Sequence, residues 1–353
     1  MAKIVPPRFN EGWGTWHAKI YGADDDVMIS GANLNESYFT NRQDRYLYFS
    51  NQPTLSQYCF DFLRTVSGFS YQLLPSPDAK ADLGPHTLRK KMAENAFSEF
   101  QQSYRQRNER KLLTEGSRED NQVMLFPVIQ AGQFNVREEE HAMDILFKHA
   151  NEQKENGQRP LIDFTSGYFG LYERYQDLVL RCRNVDVRIV AASPKANGFY
   201  GSKGVSGRIP EGYTLFEQRF MKAVARAGRL WKEGSGVQLR EWFKEGWTYH
   251  AKGLWLSPNS SSHPILTLFG STNLNSRSSH IDTELSFVMV LPPTQATEPA
   301  EKDKETADGV TALRAQLADE VSNIREHAQE WKGDQRKVRL GTKLLVALVG
   351  KML

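Results

Sequence analysis

The chain has 353 residues, of which 45 are Lys or Arg and 42 are Asp or Glu, so its formal net charge is only +3. Such a near balance disfavours a dedicated nucleic-acid binder, because phosphate contacts normally leave a clear basic excess. Hydrophobic residues make up 39% of the chain and aromatic residues 11%, which excludes an intrinsically disordered chain.

Cysteine content and apolar runs narrow the class of protein further. The two cysteines, Cys59 and Cys182, lack metal-ligand spacing, which excludes a disulfide scaffold and a cysteine-rich zinc module; we expect buried thiols. The sequence has no run of about 18 apolar residues, so it predicts no transmembrane helix. The N-terminal residues show neither a secretory signal nor an Arg/Ser-rich transit peptide.

The first predicted segment, residues 1–74, combines two strands with a helix. Pro53 suits the first turn of a helix, and the apolar residues after it recur at helical spacing. The predicted elements are a strand over 16–21, a turn over 22–26, a strand over 27–30 and a helix over 53–72.

Residues 75–121 form a predicted connector. Its first part carries Pro and Gly loop signals, and residues 89–113 are highly charged and prone to form a helix. Because both signs of charge are mixed along this helix, we expect a solvated connector and no nucleic-acid patch.

Residues 122–292 alternate between strand and helix patterns. This alternation predicts an α/β fold in which helices cover both faces of a sheet. The predicted strands are 123–130, 160–165, 185–192, 237–242, 247–256, 266–270 and 284–290, and the predicted helices are 137–155, 171–183 and 215–227.

The last segment, residues 293–353, is predicted to hold a C-terminal loop, a helix and a tail. The loop covers 292–309 and the charged helix 312–331. Residues 336–353 join basic side chains to a short apolar run, which suits contact with an anionic membrane leaflet. The alternative is a terminal helix packed on the domain.

An internal repeat carries the chemistry. His17-Ala18-Lys19 recurs as His250-Ala251-Lys252, and each copy is followed by a small-residue turn that contains an asparagine. Eleven residues beyond each asparagine stands a carboxylate. The matched asparagines and carboxylates are Asn33 with Asp44, and Asn273 with Glu284.

The residue types of the repeat suit phosphorus chemistry. An imidazole can act as nucleophile, acid or base near neutral pH. The lysines and asparagines supply donors for phosphate oxygens, and the carboxylates can fix the histidine tautomer. Two facing copies would form a pocket for a phosphodiester or a pyrophosphate, and this pocket needs no metal. The sequence leaves open which histidine each carboxylate serves.

Other segments have weaker functional interpretations. Residues 163–169 line the pocket mouth or form an ordinary strand-to-helix turn. The glycine-rich loop 197–207 is not a Walker loop, and its Lys203 is a candidate contact for an acidic substrate. His280 is a candidate residue at the pocket rim. Trp231, Trp242, Trp247 and Trp255 are interpreted as core residues, with the bilayer interface as the alternative.

The repeat resembles the HKD motif of the phospholipase D superfamily, written here as His17-x-Lys19-x4-Asp24. The second copy departs from it, since Ser257 stands where the motif has Asp. Within the superfamily, the blocks 17–21, 30–46, 163–169 and 250–256 resemble the eukaryotic mitochondrial phosphatidylglycerophosphate synthases. The implied fold is a duplicated phospholipase D-like module with two mixed sheets flanked by helices and an active site between the halves.

The resemblance implies that CDP-diacylglycerol and glycerol 3-phosphate give phosphatidylglycerophosphate and CMP, in phosphatidylglycerol and cardiolipin synthesis at the mitochondrial inner membrane. It implies His17 as nucleophile and His250 as acid–base, or the reverse. It also implies peripheral membrane contact, no nucleic-acid partner and no cofactor for the chemistry; dependence on a divalent ion is not readable. The implied catalytic residues are His17, Lys19, Asp24, His250 and Lys252; Asn33 and Asn273 bind phosphate, and Asp44 and Glu284 orient histidines.

Two alternatives remain at the level of sequence. One is another superfamily enzyme: a hydrolytic phospholipase D, a cardiolipin or phosphatidylserine synthase, or a nuclease. The other is an inactive lipid-binding relative, suggested by Ser257 and by the 16 residues that precede His17, too few for a complete first module. On that asymmetry we expect an N-terminally truncated chain that folds poorly or is inactive alone.

Overall fold

A computed structural model describes residues 14–70, 86–115, 122–153, 157–292 and 301–350 of the chain. The strands are β1 (Ile20–Ala23), β2 (Asp26–Ser30), β3 (Arg42–Gln43), β4 (Tyr46–Phe49), β5 (Met124–Ala131), β6 (Val136–Arg137), β7 (Leu161–Ser166), β8 (Asp186–Ala192), β9 (Val237–Trp242), β10 (Thr248–Tyr249), β11 (Lys252–Ser257), β12 (Leu266–Gly270), β13 (Glu284–Val290) and β14 (Ala328–Glu330). The helices are α1 (Pro53–Phe69), α2 (His86–Glu115), α3 (Glu138–Glu152), α4 (Glu173–Arg181), α5 (Ile209–Arg226), α6 (Ser276–His280), α7 (Glu301–Glu326) and α8 (Leu340–Val349).

A nine-stranded mixed sheet forms the centre of the fold, in the order β14-β9-β8-β7-β11-β12-β13-β5-β6. Its β7, β8 and β9 are parallel, and the other neighbours are antiparallel. A second sheet, β1-β2-β4, is wholly antiparallel, and β3 pairs in parallel with β10. The predicted α/β fold is confirmed, although only the nine-stranded sheet is mixed.

Both faces of the large sheet are covered, as expected for a strand–helix alternation. On one face, buried side chains of β8, β11 and β12 pack with those of β2, α1, α2 and α7. On the other face, α3, α4 and α5 cover the sheet through residues such as Phe147, Tyr175 and Phe220. The small sheet therefore lies against the large one with a continuous apolar layer between them.

The connector helix differs from its prediction. The turn of α2 that carries Ala93, Phe97 and Phe100 is buried, and these side chains pack on α1. The ring centroids of Phe97 and Phe62 lie 6.2 Å apart, and those of Phe69 and Phe97 lie 5.4 Å apart. The prediction of a solvated connector was wrong because a few aromatic residues at helical spacing outweigh the charged residues between them.

Three further boundaries were predicted incorrectly. The strand predicted over 247–256 is divided at His250 and Ala251, because β10 pairs with β3 whereas β11 enters the large sheet. The strand predicted over 16–21 begins only at Ile20. The helix predicted over 312–331 begins at Glu301, within the predicted loop, and it ends before β14, which pairs with β9 at the sheet edge.

The interpretations of the tryptophans and cysteines can be checked against burial. Trp242 and Trp255 are fully buried, as the core interpretation predicts, whereas Trp231 and Trp247 are half-buried. Cys59 and Cys182 are buried free thiols. Within the described ranges, no helix has both the length and the apolar character that crossing a membrane requires.

Candidate active site

Each histidine segment lies beside the carboxylate segment of the opposite repeat. Trp16 forms a parallel bridge with Thr283, and the backbone N–H of His17 donates to the Thr283 carbonyl at 2.9 Å. In the other copy, Tyr249 pairs in parallel with Gln43, and the N–H of His250 donates to the Gln43 carbonyl at 2.8 Å. The backbone thus brings the two repeats into one site, with each histidine next to a carboxylate from the other.

His17 is oriented by Glu284. The Nδ1 of His17 lies 2.8 Å from Glu284 Oε2. The hydroxyls of Ser271 and Ser278 donate to the two oxygens of the same carboxylate, at 2.5 and 2.6 Å. Burial alone would raise the pKa of Glu284, but His17, Lys19 and the Ser271 hydrogen bond lower it to about 2. Glu284 is therefore a stable anion that fixes the imidazole through Nδ1 and leaves Nε2 for chemistry.

His250 is oriented in the same way by Asp44. Its Nδ1 lies 2.7 Å from Asp44 Oδ2, and both side chains are buried. Burial and the nearby Lys252 lower the pKa of His250 to about 3, so the imidazole is neutral near pH 7. Burial would raise the pKa of Asp44, but Lys252 and His250 lower it overall. A neutral imidazole that donates from Nδ1 presents its Nε2 lone pair to the site.

The two lysines of the repeat differ in their contacts. Lys252 is 1% exposed, and its Nζ lies 2.7 Å from His250 Nδ1 and 3.7 Å from Asp44 Oδ2. Burial lowers its pKa. Lys19 donates to the backbone carbonyl of His17, and burial lowers its pKa to about 8, against the opposing attraction of Glu284.

A glycine makes room for the buried lysine. A Cβ added at Gly31 would lie 2.6 Å from Lys252 Nζ and 2.9 Å from Asp44 Oδ1, so no other residue fits without displacing the ion pair. Two residues before the second asparagine, the matching position is Ser271, whose hydroxyl binds Glu284. This repeat position therefore acts differently in the two copies. Gly31 leaves room for Lys252 beside Asp44, whereas Ser271 donates a hydrogen bond to Glu284.

The two asparagines occupy different environments. Asn273 is buried, and its Oδ1 has no hydrogen-bond partner among the described residues. Asn33 is exposed, and its Nδ2 lies 3.4 Å from the hydroxyl of Tyr38. Both remain candidates for contact with substrate oxygens.

Asp24 is not brought to the site. It is exposed, has a φ of 53° in the turn between β1 and β2, and its carbonyl accepts from the Ser56 hydroxyl. The residue that replaces it in the second copy, Ser257, is buried at the end of β11 opposite Leu161. The catalytic assignment of Asp24 is thus corrected: its carboxylate belongs to a hairpin turn, and Ser257 removes no group from the histidines.

Two residues around His250, Tyr38 and Arg42, were not singled out from the sequence, whereas Tyr168 lies in the segment 163–169 that was predicted to line the pocket mouth. The rings of Tyr38 and Tyr168 make edge-on contacts with the imidazole at centroid distances of 5.1 and 5.3 Å, and the Tyr38 hydroxyl lies 3.4 Å from Nε2. The guanidinium of Arg42 lies 4.6 Å from the Tyr38 ring centroid. A longer alignment of the two repeats would have pointed to Tyr38, because Tyr38 and Ser278 each follow their asparagine by five residues. Tyr38 contacts His250, and Ser278 binds Glu284.

The other predicted positions have structural contacts. Asp163 forms a bidentate pair with Arg188 inside the sheet, whereas Tyr168 of the same block reaches the site. His280 makes an edge-on contact with Tyr172 at 4.9 Å. Lys203 is exposed in the glycine-rich loop.

A metal ion could be considered at His17, Asp282 and Glu284, whose ligand atoms lie within 4.8 Å of one another. The two carboxylates of this group already accept hydrogen bonds. Glu284 accepts from Ser271 and Ser278, and Asp282 accepts from the Thr15 N–H and from Arg277. These hydrogen bonds make the group a network that orients His17.

Comparison with known proteins places these features in context. No protein-family model matches the chain. It is 35% identical over 310 residues to a Homo sapiens protein named CDP-diacylglycerol–glycerol-3-phosphate 3-phosphatidyltransferase, mitochondrial, and the match covers 81% of this chain and 54% of that protein. A Gallus gallus protein of the same name is 34% identical, with the same shares covered. A Saccharomyces cerevisiae CDP-diacylglycerol–glycerol-3-phosphate 3-phosphatidyltransferase is 29% identical, with 99% of this chain and 68% of that protein covered.

These findings confirm the resemblance to phosphatidylglycerophosphate synthases, although the chain spans about half the length of the human and chicken relatives. The crystal structure of phosphatidylserine synthase from Haemophilus influenzae matches with a TM-score of 0.63 at 19% identity, covering 97% of this chain and 70% of that one. This likeness shows that the chain shares the fold of that synthase.

Proposed function

We propose that this chain, with its phospholipase D-like fold and its similarity to CDP-diacylglycerol–glycerol-3-phosphate 3-phosphatidyltransferases, carries the same activity. It would convert CDP-diacylglycerol and glycerol 3-phosphate into phosphatidylglycerophosphate and CMP, on the route to phosphatidylglycerol and cardiolipin. The observation that carries the proposal is the crossed pairing of the repeats. The carboxylate of each repeat orients the histidine of the other, so that two imidazoles are held in one lysine-lined site.

The reaction proceeds in two balanced steps. The Nε2 of His17 attacks the phosphorus that bears diacylglycerol; a P–N bond forms, the P–O bond to CMP breaks, and CMP leaves with a proton from His250. The hydroxyl of glycerol 3-phosphate then gives its proton to His250 and attacks the same phosphorus. The P–N bond breaks, which releases phosphatidylglycerophosphate and restores both histidines.

The charges of the site bear on both roles of His250. Burial and Lys252 favour its neutral form, which the base of the second step requires. Negative charge on a bound substrate would favour the protonated form, which gives its proton to CMP in the first step. The reverse assignment has one observation in its favour, since a neutral His250 could also act as the nucleophile. Quenching in alkaline denaturant, after incubation with CDP-diacylglycerol labelled in its phosphatidyl phosphorus, distinguishes the two, because the acid-labile P–N bond is retained and peptide mapping locates the labelled histidine.

No metal takes part in the chemistry that we propose. The lysines supply the positive charge that stabilises developing charge on the phosphate oxygens, and the carboxylates hold the imidazoles in place. Activity in the presence of excess chelator tests this point, and loss of activity that added Mg²⁺ or Mn²⁺ restores would contradict it.

Contact with a membrane follows from the lipid substrate, and α8 is the proposed contact element. Its buried face, Thr342 and Val346, packs on the domain, whereas Leu340, Leu344 and Leu348 are between 60% and 84% exposed. Lys337 and Lys343 are exposed beside them. An apolar ridge flanked by cations suits an anionic leaflet. The relatives named mitochondrial support a mitochondrial membrane, and we propose that it is the inner one.

Vesicle sedimentation tests the membrane contact. L344E should reduce binding to vesicles that contain cardiolipin, whereas L230E, which changes an exposed leucine elsewhere, should leave it unchanged. Equal binding of both variants would refute the assignment of α8.

The transferase activity is tested by incubating the chain with CDP-diacylglycerol and labelled glycerol 3-phosphate and separating the lipid products. Labelled phosphatidylglycerophosphate is expected from the wild type and from H263A, which changes an exposed histidine, but not from H17A or H250A. Phosphatidic acid without labelled product would identify a hydrolase, and no turnover would favour the inactive lipid-binding relative.

A further inference from the structure

A guanidinium beside the site has no carboxylate partner. Arg42, at the start of β3, is half-buried, and no acidic oxygen lies within 4.0 Å of it among the described residues. Other arginines that join structural elements are paired, such as Arg45 with Glu320 and Arg188 with Asp163. A half-buried cation that lacks an anion is expected to receive one from a ligand.

Arg42 is also held in a defined orientation. Its Nε donates to the Thr248 hydroxyl at 2.9 Å, and its Cζ lies 4.6 Å from the Tyr38 ring centroid. A Cβ added at Gly198 would lie 3.3 Å from Arg42 Nη2 and 3.0 Å from the Tyr168 hydroxyl. The guanidinium is thus fixed through Nε between the Tyr38 side chain and the glycine-rich loop, and its terminal nitrogens form no ion pair within the described residues, so a planar, bidentate anion could bind them.

The two repeats carry oppositely charged residues at the position two residues before their carboxylates. Arg42 lies two residues before Asp44, and the matching residue before Glu284 is Asp282. Asp282 is an acid that Thr15 and Arg277 satisfy. At this position, therefore, only Arg42, on the His250 side, offers an anion a cation without a carboxylate partner among the described residues.

The charge of the core site also requires a further cation. Lys19 and Lys252 are matched in number by Asp44 and Glu284, so these four residues add no net charge even when all are ionised. The lipid donor and a phosphorylated acceptor both bring negative charge, since a phosphomonoester carries about −1.5 to −2 near neutral pH. Arg42 supplies positive charge next to His250, the base that receives the proton of the acceptor.

We propose that Arg42 binds the phosphomonoester of the acceptor and so selects glycerol 3-phosphate over glycerol or water. The proposal rests on the transferase function above and adds the residue that recognises the acceptor. The same chemistry could instead serve the nucleotide phosphate of the lipid donor, so the test must separate the two phosphates.

Initial rates of R42Q and R42K, measured with each substrate varied in turn, show which of the two phosphates Arg42 binds. R42Q should raise the KM for glycerol 3-phosphate about 10- to 100-fold, the effect of losing a charge-assisted hydrogen-bonded contact. It should change the KM for CDP-diacylglycerol less than about threefold, and R42K should lie between R42Q and wild type. The preference for glycerol 3-phosphate over glycerol should fall in parallel. The matched control is R219Q, an exposed arginine on α5, which should retain wild-type values.

A direct binding measurement distinguishes failure of this inference from failure of the proposed function. Titration calorimetry with glycerol 3-phosphate should show binding to the wild type and loss of binding in a folded R42Q. If binding is lost in R42Q but the wild type makes no lipid product, the phosphate site stands and the transferase function fails. Unchanged binding in R42Q, or a rise confined to the KM for CDP-diacylglycerol, would overturn the acceptor assignment.

Discussion

The buried pair of Lys252 and Asp44 allows a quantitative test of the site. Lys252 is 1% exposed, and the Asp44 side chain is fully buried 3.7 Å from its Nζ. We predict that D44N destabilises the chain strongly, since it leaves an ammonium group inside the protein with no anion. Burial already lowers the pKa of Lys252, so part of the penalty will appear as loss of its proton.

The magnitude follows from the cost of breaking a buried ion pair. Removing one partner typically costs about 3–5 kcal/mol, whereas replacing both with neutral groups of similar volume is often close to neutral. D44N and K252M should therefore each destabilise, and the double variant D44N/K252M should be more stable than D44N. The expected coupling free energy is about 2–3 kcal/mol.

Urea unfolding of the wild type, the two single variants and the double variant at pH 7 gives this coupling free energy directly. E284Q is the matched control, because Glu284 has hydroxyl donors from Ser271 and Ser278 that can reorient to face an amide. It should destabilise less than D44N. If the two single effects add within about 0.5 kcal/mol, the inference that Asp44 exists to balance Lys252 is wrong.

Three further measurements address the site and the core. D44N should abolish the downfield Nδ1 proton resonance of His250, and E284Q that of His17; the opposite pattern would contradict the crossed pairing. The value of kcat/KM should fall as the pH rises through about 8, because Lys19 loses its charge there. In K19R this fall should disappear, since an arginine stays charged. If K19R keeps the fall, another group causes it. Burial raises the pKa of Glu217 from 4.5 to about 8, so the folded state favours its protonated form and wild-type stability declines as the pH rises through this range. Between pH 5 and pH 9, the free energy of unfolding of E217Q should therefore rise relative to that of the wild type by on the order of a few kcal/mol. A difference in this free energy that does not change with pH would refute the raised pKa of Glu217.

Much of the site was predictable from residue order. The strand–helix alternation of residues 122–292 and the repeated His-x-Lys and Asn motifs are local patterns, and the structure brings both histidines, both lysines and both carboxylates together. The exchange of Asp44 and Glu284 between repeats was not predictable, because spacing along one chain does not say which copy a side chain will face.

The errors have physical causes that local patterns hide. The aromatic residues of α2 are spaced as for a helix face, but the charged residues between them mask the apolar stripe. β14 consists of Ala-Gln-Glu at a sheet edge, so no alternation of apolar residues marks it. The break at His250 arises because successive residues pair with different strands, a tertiary requirement with no local signal.

The crossed pairing also bears on how such a site could arise. A single copy of the repeat holds a histidine and a carboxylate, but its carboxylate orients the histidine of the other copy. One module alone would therefore lack the partner that fixes its imidazole, and only a symmetric pair of modules could complete both. A separate module could complete its site only by pairing with a second copy, and holding both copies in one chain makes that pairing independent of protein concentration. One chain also allows matching positions to differ, as Arg42 and Asp282 do.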